Sequence, residues 1–478
     1  MKELKIVLVL ISILVVFGCS DDNEQITPID VTNSSITVEE AIEDITGGTF
    51  KVWKIDQAHL LQNGEATVDI SSLYNVRDDE VTLSMNIDGS NGLLRWNRGF
   101  DINTNASTVE EAASDIRRSV QQLNLFIEET EFGIEVYSEE NRLKGVYDET
   151  TKTITGTLKY DPDVPEIQIT LTEKKAGDYI APASTFTIGS ELFSFTSEVN
   201  TLGFKVSQAT NNLFITNRRN AVDDGSQQAF KYNLITGNLD ELLFNRPDFA
   251  TKNIEFINNT VYSIGGKSFD RFEYDFINEP LHETIENESI IHSNGSAALD
   301  NKIYVFGGVI AQQFRSWTTW EPGQSSIFPT LLPISDDLYN PDGEIVNGKL
   351  YVFGGWSVDQ GSPAMSSNTI YTFDLIGGDL DQIPGLEGVF FAYTSIVQHL
   401  IYIGGRKGVD TNGDGSIDVY TSNFWVFNTL NNTLNEISLS NQLPENQYVI
   451  QLQVTENNAF LVTTDGLSEF YVYEVSLQ

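Results

Sequence analysis

The chain has 478 residues, of which 68 are acidic, 28 basic and 4 histidine, for a formal charge of −40 at pH 7. So acidic a balance argues against binding nucleic acid or an anionic membrane surface, because both need basic patches. One cysteine in the whole chain excludes an internal disulfide, so stability has to come from core burial, which a chain of this length can supply.

The N-terminus reads Met1-Lys2-Glu3-Leu4-Lys5, then an apolar run from Ile6 to Gly18. That run is short for a bilayer span and has the length of a signal-peptide core. It ends at Val16-Phe17-Gly18-Cys19-Ser20, which resembles the lipobox of bacterial lipoproteins, with Phe17 bulkier than that motif usually carries. The resemblance implies that residues 1–18 are a signal peptide and that Cys19 is lipidated as the mature N-terminus. Ser20-Asp21-Asp22-Asn23-Glu24 resembles the acidic signal that sends lipoproteins of the Bacteroidetes to the outer face of the outer membrane. A surface protein held to the membrane only by its N-terminal lipid is therefore expected, with residues 19–36 as a flexible acidic tether.

Thr37-Val38-Glu39-Glu40 has the spacing of a capping box, and Gly47-Gly48 closes the short helix it predicts. Period-two segments follow at Phe50 to Ile55, Glu80 to Ile87, Gly92 to Trp96, Gly133 to Tyr137, Arg142 to Tyr147, Thr153 to Tyr160 and Glu166 to Thr172. Separated by Gly, Asn and Asp turns, they predict antiparallel strands. Apolar residues at Val109, Ala112, Ala113, Ile116, Val120 and Leu123 predict one interrupting helix, from Thr108 to about Phe126. Residues 37–175 are thus expected to form a small antiparallel β barrel or sandwich with one helix. Gly48-Thr49-Phe50-Lys51-Val52-Trp53 resembles the glycine-then-tryptophan opening of lipocalin-like domains, with the tryptophan placed later.

From about residue 204 the chain repeats. Asn258 to Gly266, Asp300 to Gly308, Asn347 to Gly355 and His399 to Gly405 each join a turn, an apolar strand and a glycine pair. The first glycines of the pairs stand 42, 47 and 50 residues apart. Aromatics follow each unit: Phe272 and Tyr274, Trp317 and Trp320, Tyr371 and Phe373, Trp425 and Phe427. Weaker units flank the series, Asn211 to Thr216 with Phe230 and Tyr232, and Asn457 to Val462 with Tyr471 and Tyr473. The pattern resembles the Kelch repeat. It implies an all-β fold in which residues 185–478 make a six-bladed Kelch-type β-propeller, with Thr185 to Phe195 a candidate closing strand. In such a fold the blades bury both faces, the glycines admit close backbone approach and the aromatics fill the wedges.

Candidate sites are few. Asp410, Asn412, Asp414, Ser416 and Asp418 have the alternating oxygen-ligand spacing of a calcium loop, with Gly415 at the sharp turn. Thr421 stands where an EF-hand would carry its bidentate Glu, so the motif resembles the shorter dockerin-like or thrombospondin-type loops, and Ca²⁺ would act as a structural clamp. An acidic, glycine-rich turn is the other reading. Arg315, Trp317 and Trp320 could form a sugar-stacking platform or pack between blades. Trp356 and Arg406, in equivalent places after glycine pairs, and Arg218 with Arg219 in the first unit, could converge on one face.

Copper oxidases of the galactose oxidase type need a Cys–Tyr cross-link and histidine ligands, whereas Cys19 is assigned to lipid and His282, His292 and His399 have no ligand spacing. Nucleophile-elbow, zincin and P-loop motifs are missing as well. The expectation is a non-catalytic binding propeller that recognises a glycan or an envelope protein. A sialic-acid epimerase-like Kelch enzyme acting on a sugar is the alternative.

Overall fold

The computed structural model describes residues 36–48, 50–75, 80–85, 92–97, 102–113, 120–159, 167–197, 202–207, 210–218, 226–245, 253–257, 260–265, 268–272 and 281–284. It further describes 291–292, 294–299, 301–310, 316–327, 330–331, 338–357, 365–366, 368–375, 378–386, 389–409, 419–466 and 468–478.

The capping box forms as its spacing requires. Thr37 Oγ1 accepts from the Glu40 N–H at 3.2 Å, and the Glu40 carboxylate accepts from the Thr37 N–H at 2.8 Å. Helix Val38–Thr46 ends at Gly47, whose φ of +63° permits the left-handed cap. The helix buries Ala41 and Ile45, and the Trp53 indole N–H donates to the Ile45 carbonyl at 3.0 Å, which fixes it to the strands that follow.

Those strands are β1 (Phe50–Gln62), β2 (Glu65–Asp69), β3 (Glu80–Met85), β4 (Gly92–Asn97), β5 (Val120–Thr130), β6 (Gly133–Ser138), β7 (Leu143–Asp148), β8 (Thr153–Leu158) and β9 (Ile167–Glu173). Neighbours in space pair antiparallel, and β9 returns to β1 from Trp53↔Glu173 to Leu60↔Ile167. Together β1 and β3–β9 close an eight-stranded barrel, with β2 hairpinned onto the far half of β1. Closure leaves the ring without an unpaired edge. Inward residues alternate along each strand, and Trp53, Leu83, Trp96, Val136, Ile154 and Ile169 are among those that fill the interior.

The helix expected from Thr108 to Phe126 is corrected. Thr108 caps a single turn, Val109–Ala112, whereas Val120 to Phe126 belong to β5. The barrel needs a strand there, because β5 pairs on one side with β4 (Leu94↔Leu123) and on the other with β6 (Phe126↔Tyr137). Pairing along both edges overrides a local apolar period that fits either element.

Beyond the barrel, the described strands form four four-stranded antiparallel sheets, two two-stranded pairings and one eight-stranded sheet. A parallel junction divides the last into two four-stranded antiparallel halves, the fifth and sixth sheets below. The first four have innermost strands Gly203–Ser207, Asn253–Ile257, Gly295–Leu299 and Asp342–Val346. The fifth begins at Val389–Val397. The sixth takes Tyr448–Val454, Asn458–Thr464 and Glu469–Leu477 from the C-terminus and Thr185–Thr196 from the N-terminal side. Each innermost strand lies beside that of the next sheet, and the sixth lies beside the first. Six buried clusters occupy the six interfaces so made. Each cluster receives one aromatic from the third strand of the following sheet: Phe272, Trp320, Tyr371, Phe427, Tyr473 and, where the sixth sheet meets the first, Phe230. Two glycines permit the close approach. A Cβ on Gly307 would stand 2.5 Å from Pro341 Cγ, and one on Gly354 would stand 2.8 Å from Ala392 Cβ, each in the next sheet.

Between barrel and sheets runs a chain of contacts. Lys174 pairs with Glu80 of β3 and sits 4.3 Å over the Tyr179 ring, which meets the buried His399 edge-on at 5.1 Å. Burial first, and the nearby Lys174 charge second, push the His399 imidazole down to about 4. Its Nδ1 has no hydrogen-bond partner among the described residues. The folded state therefore refuses a proton that the unfolded chain accepts below its ordinary value, so stability is full above pH 6.5 and falls toward pH 4. Between pH 7 and pH 5 this one group should cost up to about 2 kcal/mol. Urea unfolding at the two pH values should show a smaller loss in His399→Gln than in the unaltered protein; equal losses would remove His399 as the source.

Candidate functional site

The innermost strands converge on a narrow polar channel to which all six sheets contribute, through Lys205, Glu255, Ser296, Glu344, Thr394 and Gln451 among others. Lys205, Glu255 and Glu344 each stand two residues before the end of their strand, so the shared register brings them to one level. Lys205 Nζ lies 3.4 Å from Glu255 Oε2 and 3.6 Å from Glu344 Oε1. Burial alone would lower the lysine's affinity for its proton, but Glu255, Glu344 and Asp342 outweigh that and hold it above the ordinary value. The carboxylates are themselves engaged, Glu255 by the Ser296 hydroxyl at 2.7 Å and Asp342 by the Thr394 N–H at 2.8 Å.

A lysine held protonated in this way is neither a nucleophile nor a general base at neutral pH. The free space among these groups is about 20 Å³, enough for a water. Nothing in the sequence reading had singled out these residues. Their signal is a charged side chain at the centre of a five-residue first strand, at the same offset in three units.

Arg406 occupies a different place, next to Gly405 in the fifth sheet, paired with Phe391 near the start of that sheet's innermost strand. Its guanidinium lies 4.5 Å from the Phe391 ring centre and 5.0 Å from that of Tyr448 in the sixth sheet, and it donates to the Tyr393 hydroxyl at 3.0 Å. Half-buried between two rings from adjacent sheets, its guanidinium is held by two cation–π contacts and one hydrogen bond. The same hairpin, Leu400–Val409 with Val419–Asn428, pairs as far as Val409↔Val419.

Trp317 and Trp320 do not form a platform. Three residues apart on one strand, they point to opposite faces of the third sheet. Trp320 is fully buried, stacked on Phe269 at 4.1 Å and 3° and donating its indole N–H to the Gln324 carbonyl at 2.9 Å. Trp317 is half-buried against Tyr304, on the side of the fourth sheet. Packing between sheets, one of the two readings of the sequence, is thus the role of Trp320, and it takes no part in a sugar shelf. Arg218 and Trp356 fall in strands Asn212–Arg218 and Trp356–Ser357, with side chains beyond what the structure describes. Cys19, Arg219, Arg315 and the loop residues Asp410, Asn412, Asp414, Ser416 and Asp418 lie outside the described residues.

No protein-family model matches the chain, and no curated protein matches it. Among solved structures it is similar to the one titled "Structure of YjhT", at 11% identity and a TM-score of 0.43, over 62% of this chain and 98% of that one.

Unfolding measurements should separate packing from charge pairing. Trp320→Ala should cost roughly 3–5 kcal/mol through its cavity, and Trp317→Ala clearly less. Lys205→Met should also cost about 3–5 kcal/mol, because it leaves two carboxylates facing each other without their cation. A Lys205→Met protein as stable as the original would mean that the channel is hydrated enough to screen them.

Proposed function

We propose that residues 185–478 are a six-bladed Kelch-type β-propeller, carried on a lipoprotein acylated at Cys19 and displayed on the outer face of the outer membrane, and that it binds a glycan without catalysis. The repeat spacing, the six interface clusters and the contact of the sixth sheet with the first support the propeller. The lipobox-like and acidic N-terminal motifs support the anchor.

The observation that carries the non-catalytic reading is the central channel, which holds about 20 Å³ and a lysine already committed to two glutamates. An enzyme acting on a sugar needs a pocket there deep enough for its substrate. Recognition moves instead to the rim, where Arg406 is held between Phe391 and Tyr448 and donates a hydrogen bond to the Tyr393 hydroxyl. Aromatic faces take the C–H face of a sugar, and a guanidinium donates to its oxygens. Ca²⁺ at Asp410, Asn412, Asp414, Ser416 and Asp418 belongs to the same proposal, as a clamp across the end of the hairpin that carries Arg406.

Glycan-array binding by the soluble protein lacking residues 1–36 tests this reading. Saturable binding is expected, weakened by chelator and reduced at least tenfold in Arg406→Ala, while Trp317→Ala keeps it. A blank array with folded protein would refute glycan recognition and point to an envelope protein as the partner.

A further inference from the structure

A second cavity lies at the other end of the strands, between the first and sixth sheets. It sits at the end of the innermost strand of each sheet, beside Ser207 and Asn211 in one and Thr455 to Asn457 in the other, and it holds about 160 Å³. Its apolar wall comes from Val206 and Leu234, and its polar wall from Asn211, Asn457 and Glu456. Both strand ends are internally braced. Ser207 Oγ contacts Thr210 Oγ1 at 2.7 Å, Thr455 Oγ1 donates to the Asn458 carbonyl at 2.9 Å, and the Leu234 N–H donates to the Asn211 carbonyl at 2.9 Å. Glu456 is fixed from behind by the Gln398 side-chain amide at 3.0 Å. The walls are therefore formed before any ligand arrives, which reduces the ordering cost of binding.

Size and chemistry together define the occupant. A cavity of roughly 150 Å³ takes one six-membered ring. Asn211 and Asn457 each offer an amide donor and an acceptor, while Glu456 offers an acceptor alone. Hydroxyl groups, which both donate and accept, match that set. Val206 and Leu234 match the C–H face of a ring. Among the described residues that line the cavity the charged side chain is the Glu456 carboxylate, which disfavours an anion. We infer that this cavity is a binding site for one uncharged sugar ring, separate from the rim around Arg406 and independent of whether that rim binds.

Saturation-transfer NMR with methyl β-D-galactoside, methyl α-D-mannoside and N-acetylglucosamine tests the inference on the protein lacking residues 1–36. At least one should give transfer with millimolar affinity, as a single ring in a small site allows. Transfer should persist in Arg406→Ala, which removes any contribution of the rim; in that background Leu234→Trp should abolish it by filling the cavity, and Asn457→Ala, at an exposed turn position, should weaken it about fivefold. Absence of transfer from all three sugars would overturn the inference. So would transfer that survives both Leu234→Trp and Asn457→Ala, or that disappears in Arg406→Ala and so belongs to the rim.

Discussion

A four-stranded sheet that is apolar on both faces is stable in water only when both faces are covered, and a row of such sheets always leaves two uncovered. The strand Thr185–Thr196 removes that problem. It pairs antiparallel with Glu469–Leu477, and so completes the sixth sheet with the segment that precedes the first. Its start also runs parallel to the outer strand of the fifth sheet, at Thr185↔Ser438 and Phe186↔Leu439. The Thr187 and Ser440 hydroxyls meet at 2.6 Å, and Asn441 bonds both backbone groups of Ile188. With the two ends of the region joined, the cluster between the sixth and first sheets can form, and Phe230 packs among Phe195, Phe460 and Phe470 as its counterparts do elsewhere.

The polar centre follows from that closure. Six strands brought together leave too little room for large apolar side chains, and the backbone and the few long side chains there must satisfy one another. Lys205 between Glu255 and Glu344, and Gln451 donating to the Leu202 carbonyl, are such solutions. Once the centre is committed to holding the ring, space for a ligand remains at its two ends. Arg406 and the cavity beside Asn457 lie at those ends.

Much of this architecture is legible in the sequence. Aromatics spaced behind the four glycine pairs mark four of the six interfaces, and Phe272, Tyr371 and Phe427 occupy the positions that the repeat implies. Trp320 is the residue of that series in the third sheet, so its burial was encoded in the same repeat. Of the two roles open to Trp317 and Trp320, a shared platform conflicts with the strand period of two, which sends residues three apart to opposite faces. The segment after Thr108 was ambiguous for another reason: its apolar positions suit a helix locally, and only the partners β4 and β6 make it a strand. The Lys205 cluster stayed hidden because its three charges are distant in sequence and meet only through closure of the ring.

The closing strand is the element on which everything else rests, and a disulfide across it is the direct test. The protein lacking residues 1–36 has no cysteine of its own. Thr187→Cys combined with Ser440→Cys should oxidise readily in the native protein, since the two hydroxyls already touch. Formation of that bond in most molecules, with a raised Tm, is the predicted result. Two free, reactive thiols in the folded protein would show that Thr185–Thr196 is not held beside the fifth sheet, and the role given to this strand would have to be abandoned.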